Sequence, residues 1–469
     1  MIGRFASALD ARAGDALEAV SRSHHRRRLA RVGAGHALEG RRDGWSTGPP
    51  PPRDGNRMDV HIDGAAALPV IADAVRNAES WVHIAGWTVD PDFAIEREPA
   101  LVTVRDLLGR AAERVDVRVL AWAGAPVPVM HPTRADASRS MNALLQGTRI
   151  RGALDRRNRP MHCHHEKLVI VDGAVAFVGG IDLTDVDGDR YDRSPHADGP
   201  LGWHDALARI AGPTVADVAS HFALRWEATT GQHLPDIPIP PAAGTSRVQL
   251  VRTVPEHTYR TLHRGDFGVL EAYLGAFRNA RRLIYIENQF LWSAEIVAVL
   301  GKILRQPPSD DFRLCIVLPQ RPNNGNDDTR GQLAVLKAAD DHNRLLAGTI
   351  GPPHRSRPAV YVHAKVCIVD DAWLTVGSAN LNEHSLFNDT EVNLVTDHAT
   401  LARGVRERLW SEHLSEDCAG RDPIDVVETL WRPALAAAAP YARPLRPLPA
   451  VSRRTARLKG PLKGLIVDG

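Results

Sequence analysis

Hydrophobic residues recur every three or four positions over residues 2–22, which predicts an amphipathic helix at the start of the chain. A basic cluster from His24 to Arg28 follows, and a Gly-rich segment then leads to the run Pro49 to Pro52, which is typical of a stiff linker. We therefore expect residues 1–57 to form a helix and a linker, with folded sequence beginning near Met58. Such a helix would dock on the chain's own surface or lie on anionic lipid, and the pattern leaves both open.

From Met58 onwards the pattern alternates between helix and strand, and this happens twice. Helical periodicity over residues 68–78 and again over residues 269–280 ends in similar segments, RNAESWVHI and RNARRLIYI, in which a helix runs into a strand. Another helix and another strand follow in each half. The chain therefore contains a duplicated unit, and its alternation predicts an α/β fold with a mostly parallel, mixed sheet covered by helices.

The Pro-rich segment at residues 235–244 separates the two copies and is the predicted connection between them. We assign residues 58–235 to a first lobe and residues 245–420 to a second, homologous lobe. Residues 421–469, where the pattern weakens and basic residues accumulate, are a predicted basic C-terminal extension. The expected architecture is two tandem α/β/α sandwich lobes that meet about a pseudo-two-fold axis.

Each copy closes with the same block, His-x-Lys-x4-Asp. The blocks consist of His165, Lys167 and Asp172 in the first half and of His363, Lys365 and Asp370 in the second. In an extended strand, residues two apart project from the same face, so each His lies beside its Lys. Both faces of the following strand are apolar, which predicts burial, and a buried strand that begins with two basic groups is costly unless they meet an anion.

The use of lysine in both blocks points to phosphate chemistry. The chain has only six lysines against 52 arginines, yet both copies keep Lys at the same position. A compact ammonium group fits beside a phosphorus centre more easily than a wide guanidinium group does. Two imidazoles that flank one phosphate suit in-line displacement, in which one attacks phosphorus and the other protonates the leaving oxygen. Asn380 is a candidate donor to the non-bridging oxygens, and no metal or cofactor is required, because the cationic side chains neutralise the charge.

These residues resemble the phospholipase D superfamily, whose signature is a duplicated His-x-Lys-x4-Asp. The likeness covers residues 60–420. Four further blocks are similar to those of the phosphatidylcholine-hydrolysing members: GGIDL at 179–183, WHD at 203–205, YIENQF at 285–290 and GSAN at 377–380.

The resemblance implies roles for four side chains in the two halves. His165 is implied as the nucleophile, which forms a covalent phosphohistidine intermediate, and His363 as the general acid. Asp205 is implied as the carboxylate that orients His165, and Glu391 as the one that orients His363. A carboxylate on the far ring nitrogen would fix the tautomer of each imidazole.

Four other polar residues complete the predicted site. Asp182 and Asn380 occupy equivalent places after the two motifs, and both are assigned to the substrate phosphate. Asp172 and Asp370 are counted as catalytic because the signature includes them, although both also suit the role of turn formers.

The implied activity is hydrolysis of a phospholipid head-group phosphodiester to phosphatidic acid, with water or a primary alcohol as acceptor. A cardiolipin-synthase-like phosphatidyltransferase uses the same chemistry and is the main alternative. A formal net charge of +2 and an aromatic content of 5% disfavour a nuclease, so no nucleic-acid partner is expected. A non-catalytic membrane scaffold would be expected to have lost a motif His or Lys, and none is missing. Both motifs lie in one chain, which predicts a monomer.

The remaining sequence features concern placement and metals. The four cysteines are scattered and no apolar stretch is long enough to span a bilayer, so we expect a cytoplasmic protein, with peripheral membrane attachment as the alternative. The run HCHH at 162–165 suggests zinc. Strand alternation, however, puts His162 and His164 on one face and Cys163 and His165 on the other, and no second ligand cluster is evident. We therefore predict no metal site.

Overall fold

A computed structural model of the protein describes residues 2–126, 131–159, 161–191, 202–323, 326–351, 360–436 and 443–448. The first half contains, in chain order, α1 (Ile2–Arg31), a 3-10 turn (Gly35–Leu38), β1 (Arg53–Ile62), α2 (Gly64–Arg76), β2 (Trp81–Gly86), β3 (Ala94–Glu96), β4 (Val102–Thr103), α3 (Val104–Ala112), β5 (Asp116–Trp122), α4 (Arg134–Leu145), β6 (Arg151–Asp155), β7 (Leu168–Val171), β8 (Val175–Gly179), β9 (Gly202–His204), β10 (Ala206–Ala211) and α5 (Val215–Thr230).

The second half repeats this order after residues 232–243, which carry neither helix nor strand. It contains β11 (Ser246–Val254), a 3-10 turn (Arg260–Leu262), β12 (Asp266–Phe267), α6 (Gly268–Asn279), β13 (Leu283–Glu287), α7 (Ala294–Arg305), β14 (Arg313–Val317), α8 (Asn326–Ala338), β15 (Leu345–Ile350), β16 (Val360–Val362), β17 (Val366–Val369), β18 (Trp373–Gly377), α9 (Glu383–Phe387), β19 (Glu391–Thr396), α10 (Ala399–Leu414), α11 (Pro423–Val426), a π-helical turn (Val427–Trp431), α12 (Arg432–Ala436) and β20 (Leu445–Pro447).

The two halves share one continuous 16-stranded sheet with a symmetric strand order. The order is β6-β5-β2-β7-β8-β10-β1 in the first half, followed by β11-β19-β18-β17-β13-β14-β15 in the second, with β20 at the outer edge and β12 beside β11. Counted outwards from the β1–β11 junction, strands at the same position in the two halves are equivalent elements of the two copies. The predicted duplication and α/β fold are confirmed.

Parallel pairing is confined to the outer part of each half. The strands β2, β5 and β6 pair in parallel, as do β13, β14 and β15, and these are the strands that alternate with helices in the sequence. The strands between them pair antiparallel, including the β1–β11 junction of the two halves. The alternation therefore indicated the parallel segments correctly, but the sheet as a whole is mixed rather than mostly parallel.

Helices cover both faces of the sheet. On one face, α2 and α3 pack on the first half and α6 and α7 on the second, in two separate apolar clusters. On the other face, one cluster runs across both halves and includes α5 and α10, with Phe222, Trp226 and Trp410 buried in it. This shared cluster joins the two copies, because burial of aromatic side chains supplies much of the energy of such an interface.

The N-terminal segment is not a free linker. Helix α1 continues through the basic cluster to Arg31, and its last turns dock on the second half: the Arg28 guanidinium donates to Glu256 at 2.8 Å and Leu29 is fully buried. Strand β1 begins at Arg53, so the expected boundary at residue 57 falls inside a strand. The described end of α1 therefore lies on the chain's own surface, one of the two options that the pattern left open.

The region after residue 420 is also packed rather than extended. Trp431 is fully buried against Tyr285 and Trp410, and β20 adds an antiparallel strand to β15. Residues 421–436 and 443–448 thus belong to the second lobe, because they complete its core and the edge of its sheet. The remaining basic residues of the expected C-terminal extension, from Arg453 onwards, lie outside the described residues.

Candidate active site

The two motif segments meet where the halves join, and each is held by backbone of the opposite half. The N–H of His165 donates to the carbonyl of Thr390 at 3.0 Å, and the N–H of His363 donates to the carbonyl of His204 at 2.8 Å. Strand β16 pairs in parallel with β9 just before His363. As a result the imidazoles of His165 and His363 face each other with ring centroids 6.3 Å apart, close enough to flank one phosphate.

Each imidazole is oriented by a carboxylate from the other half. The Nδ1 of His165 lies 3.0 Å from Glu391, and the Nδ1 of His363 lies 2.6 Å from Asp205. The resemblance had assigned these carboxylates the other way round, and that assignment is wrong. The exchange follows from the fold, because the residues just before each motif strand pair with the residues just before β19 or β10 of the opposite half. With Nδ1 on a carboxylate, Nε2 is left for the cleft that both rings line.

The two lysines are buried beside the imidazoles but have different partners. The Lys167 ammonium pairs with Asp182 at 3.0 Å and donates to the carbonyl of His165 at 2.6 Å. Lys365 instead donates to the amide oxygen of Gln289 at 3.2 Å and to the carbonyl of His363. Burial lowers the pKa of Lys365 to about 7, and the neighbouring charge of Lys167 acts in the same direction. The charges of Asp205 and Glu391 oppose this shift, but among the described residues no carboxylate pairs directly with Lys365, so an anion in the cleft would favour its charged form.

The predicted phosphate ligands Asp182 and Asn380 divide into two roles. Asp182 lines the cleft with both imidazoles, accepts from the backbone N–H of Trp87 and pairs with Lys167, so its route to a substrate phosphate is through that lysine, and its assignment to the phosphate stays a prediction. The amide of Asn380 donates to Gln289 at 3.3 Å, and its Oδ1 has no hydrogen-bond partner among the described residues. Asn380 stays a predicted phosphate ligand.

The motif aspartates lie at the other end of their strands, away from the imidazoles. Asp172 accepts from the backbone N–H groups of Glu79, Ser80 and Trp81, each at 2.8 Å. Asp370 does the same for the residues that begin β13, Arg281, Arg282 and Leu283, at 2.7 to 2.8 Å. Their assignment as catalytic residues is therefore corrected: both tie the turn after a motif strand to the start of the neighbouring strand.

Burial and neighbouring cations set the protonation of the site. Burial lowers the pKa of His363 well below its ordinary value, and Lys365 and Arg190 act in the same direction. Burial raises the pKa of Asp205 to about 6 against the opposing charge of Lys365. It also raises the pKa of Glu391, against Lys167 and two serine hydroxyls. An anion in the cleft offsets these cations and so favours the charged form of His363.

Sequence reasoning missed three contributors to the site. The guanidinium of Arg190 lies 3.8 Å from the ring of Trp203, which in turn packs against His363 at 4.5 Å. Ser378 and Ser385 each donate a hydroxyl to Glu391 at 2.5 Å. Arg190 comes from a segment without helical or strand periodicity, so no pattern pointed to it. The GSAN similarity contained Ser378, but only the fold shows what it contacts.

The cleft contains cationic and hydrogen-bonding groups rather than a set of metal ligands. Among the described residues, the three groups of side chains with metal-type spacing all exclude both motif histidines and both motif lysines. No described helix combines the length and the apolar character that crossing a bilayer requires.

Comparison with known proteins gives a consistent result. The family model described as Phospholipase D matches residues 74–202, and the one described as Cardiolipin synthase, PLD-like domain, matches residues 274–412. Phospholipase D A of Dictyostelium discoideum is 26% identical over 78% of this chain and 36% of its own length. Phospholipase D alpha 1 of Nicotiana tabacum is 25% identical over 73% of this chain and 63% of its own. The chain thus spans less than two thirds of the length of these relatives.

The fold has a counterpart among solved structures as well. The crystal structure of phosphatidylserine synthase from Haemophilus influenzae Rd KW20 matches 75% of this chain and 85% of its own, with a TM-score of 0.54 and 13% sequence identity. At that identity the likeness concerns the fold alone. One family model matches each half, and each matched range includes the His-x-Lys-x4-Asp block of that half. The two models together therefore account for both copies of the unit. The chain belongs to the phospholipase D superfamily.

Proposed function

We propose that this protein is a phosphodiesterase of the phospholipase D type, which hydrolyses a phospholipid head-group ester to phosphatidic acid. One observation carries the proposal: His165 and His363 face each other at 6.3 Å, and each ring is held by a buried carboxylate of the opposite half. Two buried lysines flank the pair. This arrangement suits in-line displacement at a phosphate bound between the rings.

The first step makes a bond to His165. Its Nε2 attacks phosphorus while Glu391 holds the proton on Nδ1, and the bond from phosphorus to the head-group oxygen breaks. His363 donates its Nε2 proton to that oxygen, so the head group leaves as an alcohol rather than as an alkoxide. The lysines and Asn380 stabilise the negative charge on the non-bridging oxygens. The phosphate also offsets the surrounding cations, which favours the protonated state that His363 needs for this step.

The second step releases phosphatidic acid. His363, now neutral, takes a proton from water as the water oxygen attacks phosphorus, and the bond to His165 Nε2 breaks. A primary alcohol can replace water here and gives a phosphatidyl ester. Phosphatidyl transfer to a glycerol-type acceptor is the second candidate function, and the match of the second half to the cardiolipin synthase model favours it. Both functions share the same residues and differ only in the acceptor.

The substrate and its partners follow from this chemistry. We propose a phospholipid at a membrane surface as substrate and water or a primary alcohol as acceptor, with the chain acting as a monomer because one chain contributes both imidazoles. The four cysteines are buried and form no disulfide with one another, which suits the reducing cytoplasm proposed for the protein.

The test uses purified full-length protein and phosphatidylcholine vesicles, with release of choline and formation of phosphatidic acid as readouts. Ethanol is expected to divert product to phosphatidylethanol, and glycerol-containing lipid acceptors test the transferase. His165→Asn is the inactive control. A chiral phosphorothioate substrate should react with net retention at phosphorus, because two displacements occur. Inversion would overturn the covalent step, and cleavage of plasmid DNA without any action on lipid would overturn the proposed substrate.

A further inference from the structure

Among the described residues, three groups of His, Asp and Glu side chains lie outside the phosphate cleft, all of them buried except the half-buried Glu383, and two of the groups are satisfied without an ion. In one of these, both ring nitrogens of His204 bond to carboxylates, Asp63 at 2.7 Å and Glu287 at 2.8 Å. Both nitrogens therefore carry protons and neither offers a lone pair to a metal. In another, His25 is the single imidazole and bonds to Glu295 at 2.8 Å. Neither group therefore offers an ion more than one imidazole lone pair.

The remaining group, which consists of His162, His384 and Asp389, has different geometry. The Nδ1 atoms of His162 and His384 lie 3.0 Å apart, a distance that also suits a hydrogen bond between the rings, and Asp389 Oδ1 lies 3.4 Å from His162 Nδ1. The ligand atoms of all three lie within 4.8 Å of one another. Two ligands held about 2.0–2.1 Å from a tetrahedral ion are separated by about 3.3 Å. The observed spacing is therefore close to that of a metal centre with two imidazoles and one carboxylate.

The surroundings of Asp389 supply a second, independent observation. Its side chain is fully buried, Oδ1 accepts from the N–H of Cys163 at 2.8 Å, and Oδ2 has no hydrogen-bond partner among the described residues. A buried carboxylate oxygen without a partner is costly, and a cation beside it removes that cost. The backbone also fixes two of the ligands, because the N–H of Asp389 donates to the carbonyl of His384 at 2.8 Å.

We propose that His162, His384 and Asp389 bind one divalent transition-metal ion, with Zn²⁺ the first candidate and a water as fourth ligand. Two imidazoles and a carboxylate form a donor set that zinc commonly takes. His162 belongs to the first half, whereas His384 and Asp389 belong to the second. The ion would therefore join the two copies of the unit.

The position of this site gives the ion a defined effect. His164 and Thr390 form a backbone bridge between the halves. The ligand Asp389 directly precedes Thr390 in the chain, and the hydrogen-bonded pair His165 and Glu391 directly follows the two bridge residues. An ion at the proposed centre would link the two chain segments that form this bridge, because it would bind His162 from one half and Asp389 from the other. We therefore assign it a structural role, outside the phosphate cleft, in holding the two halves in register.

The experiment measures zinc binding and thermal stability of the full chain, without turnover. Protein stripped with a chelator is equilibrated with ZnCl2, and bound zinc is counted by elemental analysis and titration calorimetry. We expect one zinc per chain and a thermal midpoint several degrees higher than that of the stripped protein, because a ligand that binds only the folded state stabilises it. His162→Gln and His384→Gln should weaken binding by more than the roughly 10–100-fold that loss of an outer partner costs.

His233→Gln is the matched control, because His233 is an exposed imidazole paired with Glu227 on the surface, and it should leave zinc binding unchanged. Should either ligand variant fail to fold, Co²⁺ added to the stripped wild-type protein should give the visible absorption of a tetrahedral site. Absence of bound zinc in the wild type, or zinc that stays bound in both ligand variants, would overturn the proposal. Neither result depends on whether the protein cleaves phospholipid.

Discussion

The two halves of the site contain the same motif in different electrostatic settings. In the first half Lys167 pairs with Asp182, whereas in the second half the corresponding residue is Asn380 and the direct partners of Lys365 among the described residues are neutral oxygens. The sheet and its helices repeat closely, so this difference arises from one side chain rather than from the backbone. A duplicated unit can thus supply symmetric positioning, while a difference in one side chain leaves the lysine of one half without a directly paired carboxylate, where the phosphate charge is expected to reside.

The largest expected effect separates the roles of the two imidazoles. His165→Asn and His363→Asn should each lower turnover of phosphatidylcholine by roughly 10²–10⁴-fold or more, because each removes a group that forms a bond or transfers a proton. On a substrate with a nitrophenol leaving group, His363→Asn should still show a rapid initial release of nitrophenol, because nitrophenolate leaves without taking up a proton. His165→Asn should show no burst. A burst in His165→Asn alone would exchange the two assignments.

The next effect compares the two lysines. Lys167→Arg and Lys365→Arg should each reduce kcat/KM by about 10²-fold or more, because a planar guanidinium group does not fit the space of a buried ammonium beside phosphorus. The exposed Lys302→Arg is the matched control and should behave as the wild type. Steady-state rates on one soluble phosphodiester give the comparison. Wild-type turnover in Lys167→Arg would show that this position needs only a positive charge.

The pH dependence should report the second half-site. Asp205, whose pKa burial raises to about 6, must be ionised to orient His363, so kcat/KM falls as the pH drops below about 6. Lys365, whose pKa burial lowers to about 7, must be protonated, so kcat/KM falls again above about 7. His363 must also be protonated, and burial holds its pKa well below the ordinary value, so the alkaline fall of kcat/KM should begin at a lower pH than Lys365 alone would set. A narrow bell-shaped profile is expected in rate measurements across pH.

The conservative variant Asp205→Asn tests the acid limb of this profile. It should be slower by about 10-fold or more and should lose that limb, because the amide does not titrate. Loss of rate with an unchanged acid limb would assign the lower pKa to another group.

The smallest effect on catalysis is expected at the motif aspartates, which contact neither imidazole. Asp172→Ala and Asp370→Ala each remove the acceptor of three backbone N–H groups, at a cost of about 1–3 kcal/mol in the free energy of unfolding. The kcat of the folded protein should change little. Denaturant unfolding and kinetics are measured together, and the exposed Asp73→Ala serves as control. A fall in kcat with unchanged stability would restore a catalytic role.

The sequence was sufficient to identify the duplication, the two motifs and the rarity of lysine, because these depend on local pattern and composition. It was not sufficient for the partner of each imidazole. Asp205 and Glu391 each follow a motif in the sequence, so both pairings are compatible with the order of residues. The backbone contacts between the halves place Glu391 beside His165 and Asp205 beside His363. Amphipathic periodicity likewise shows that α1 has an apolar face, but not that Arg28 meets Glu256. Such pairings are properties of tertiary contact.

The exchange of carboxylates between the halves has a consequence for how such a molecule can arise. One copy of the unit contains a motif histidine and a carboxylate, but the two do not serve each other, so a single copy alone has an unoriented base. Two identical copies related by a two-fold axis would complete one another reciprocally, as in an isologous dimer. In a chain that contains both copies this dependence remains, and the halves are free to differ, as they do at Asp182 and Asn380. Catalytic competence in this fold is therefore a property of the pair, and any separation of the halves is expected to silence both imidazoles at once.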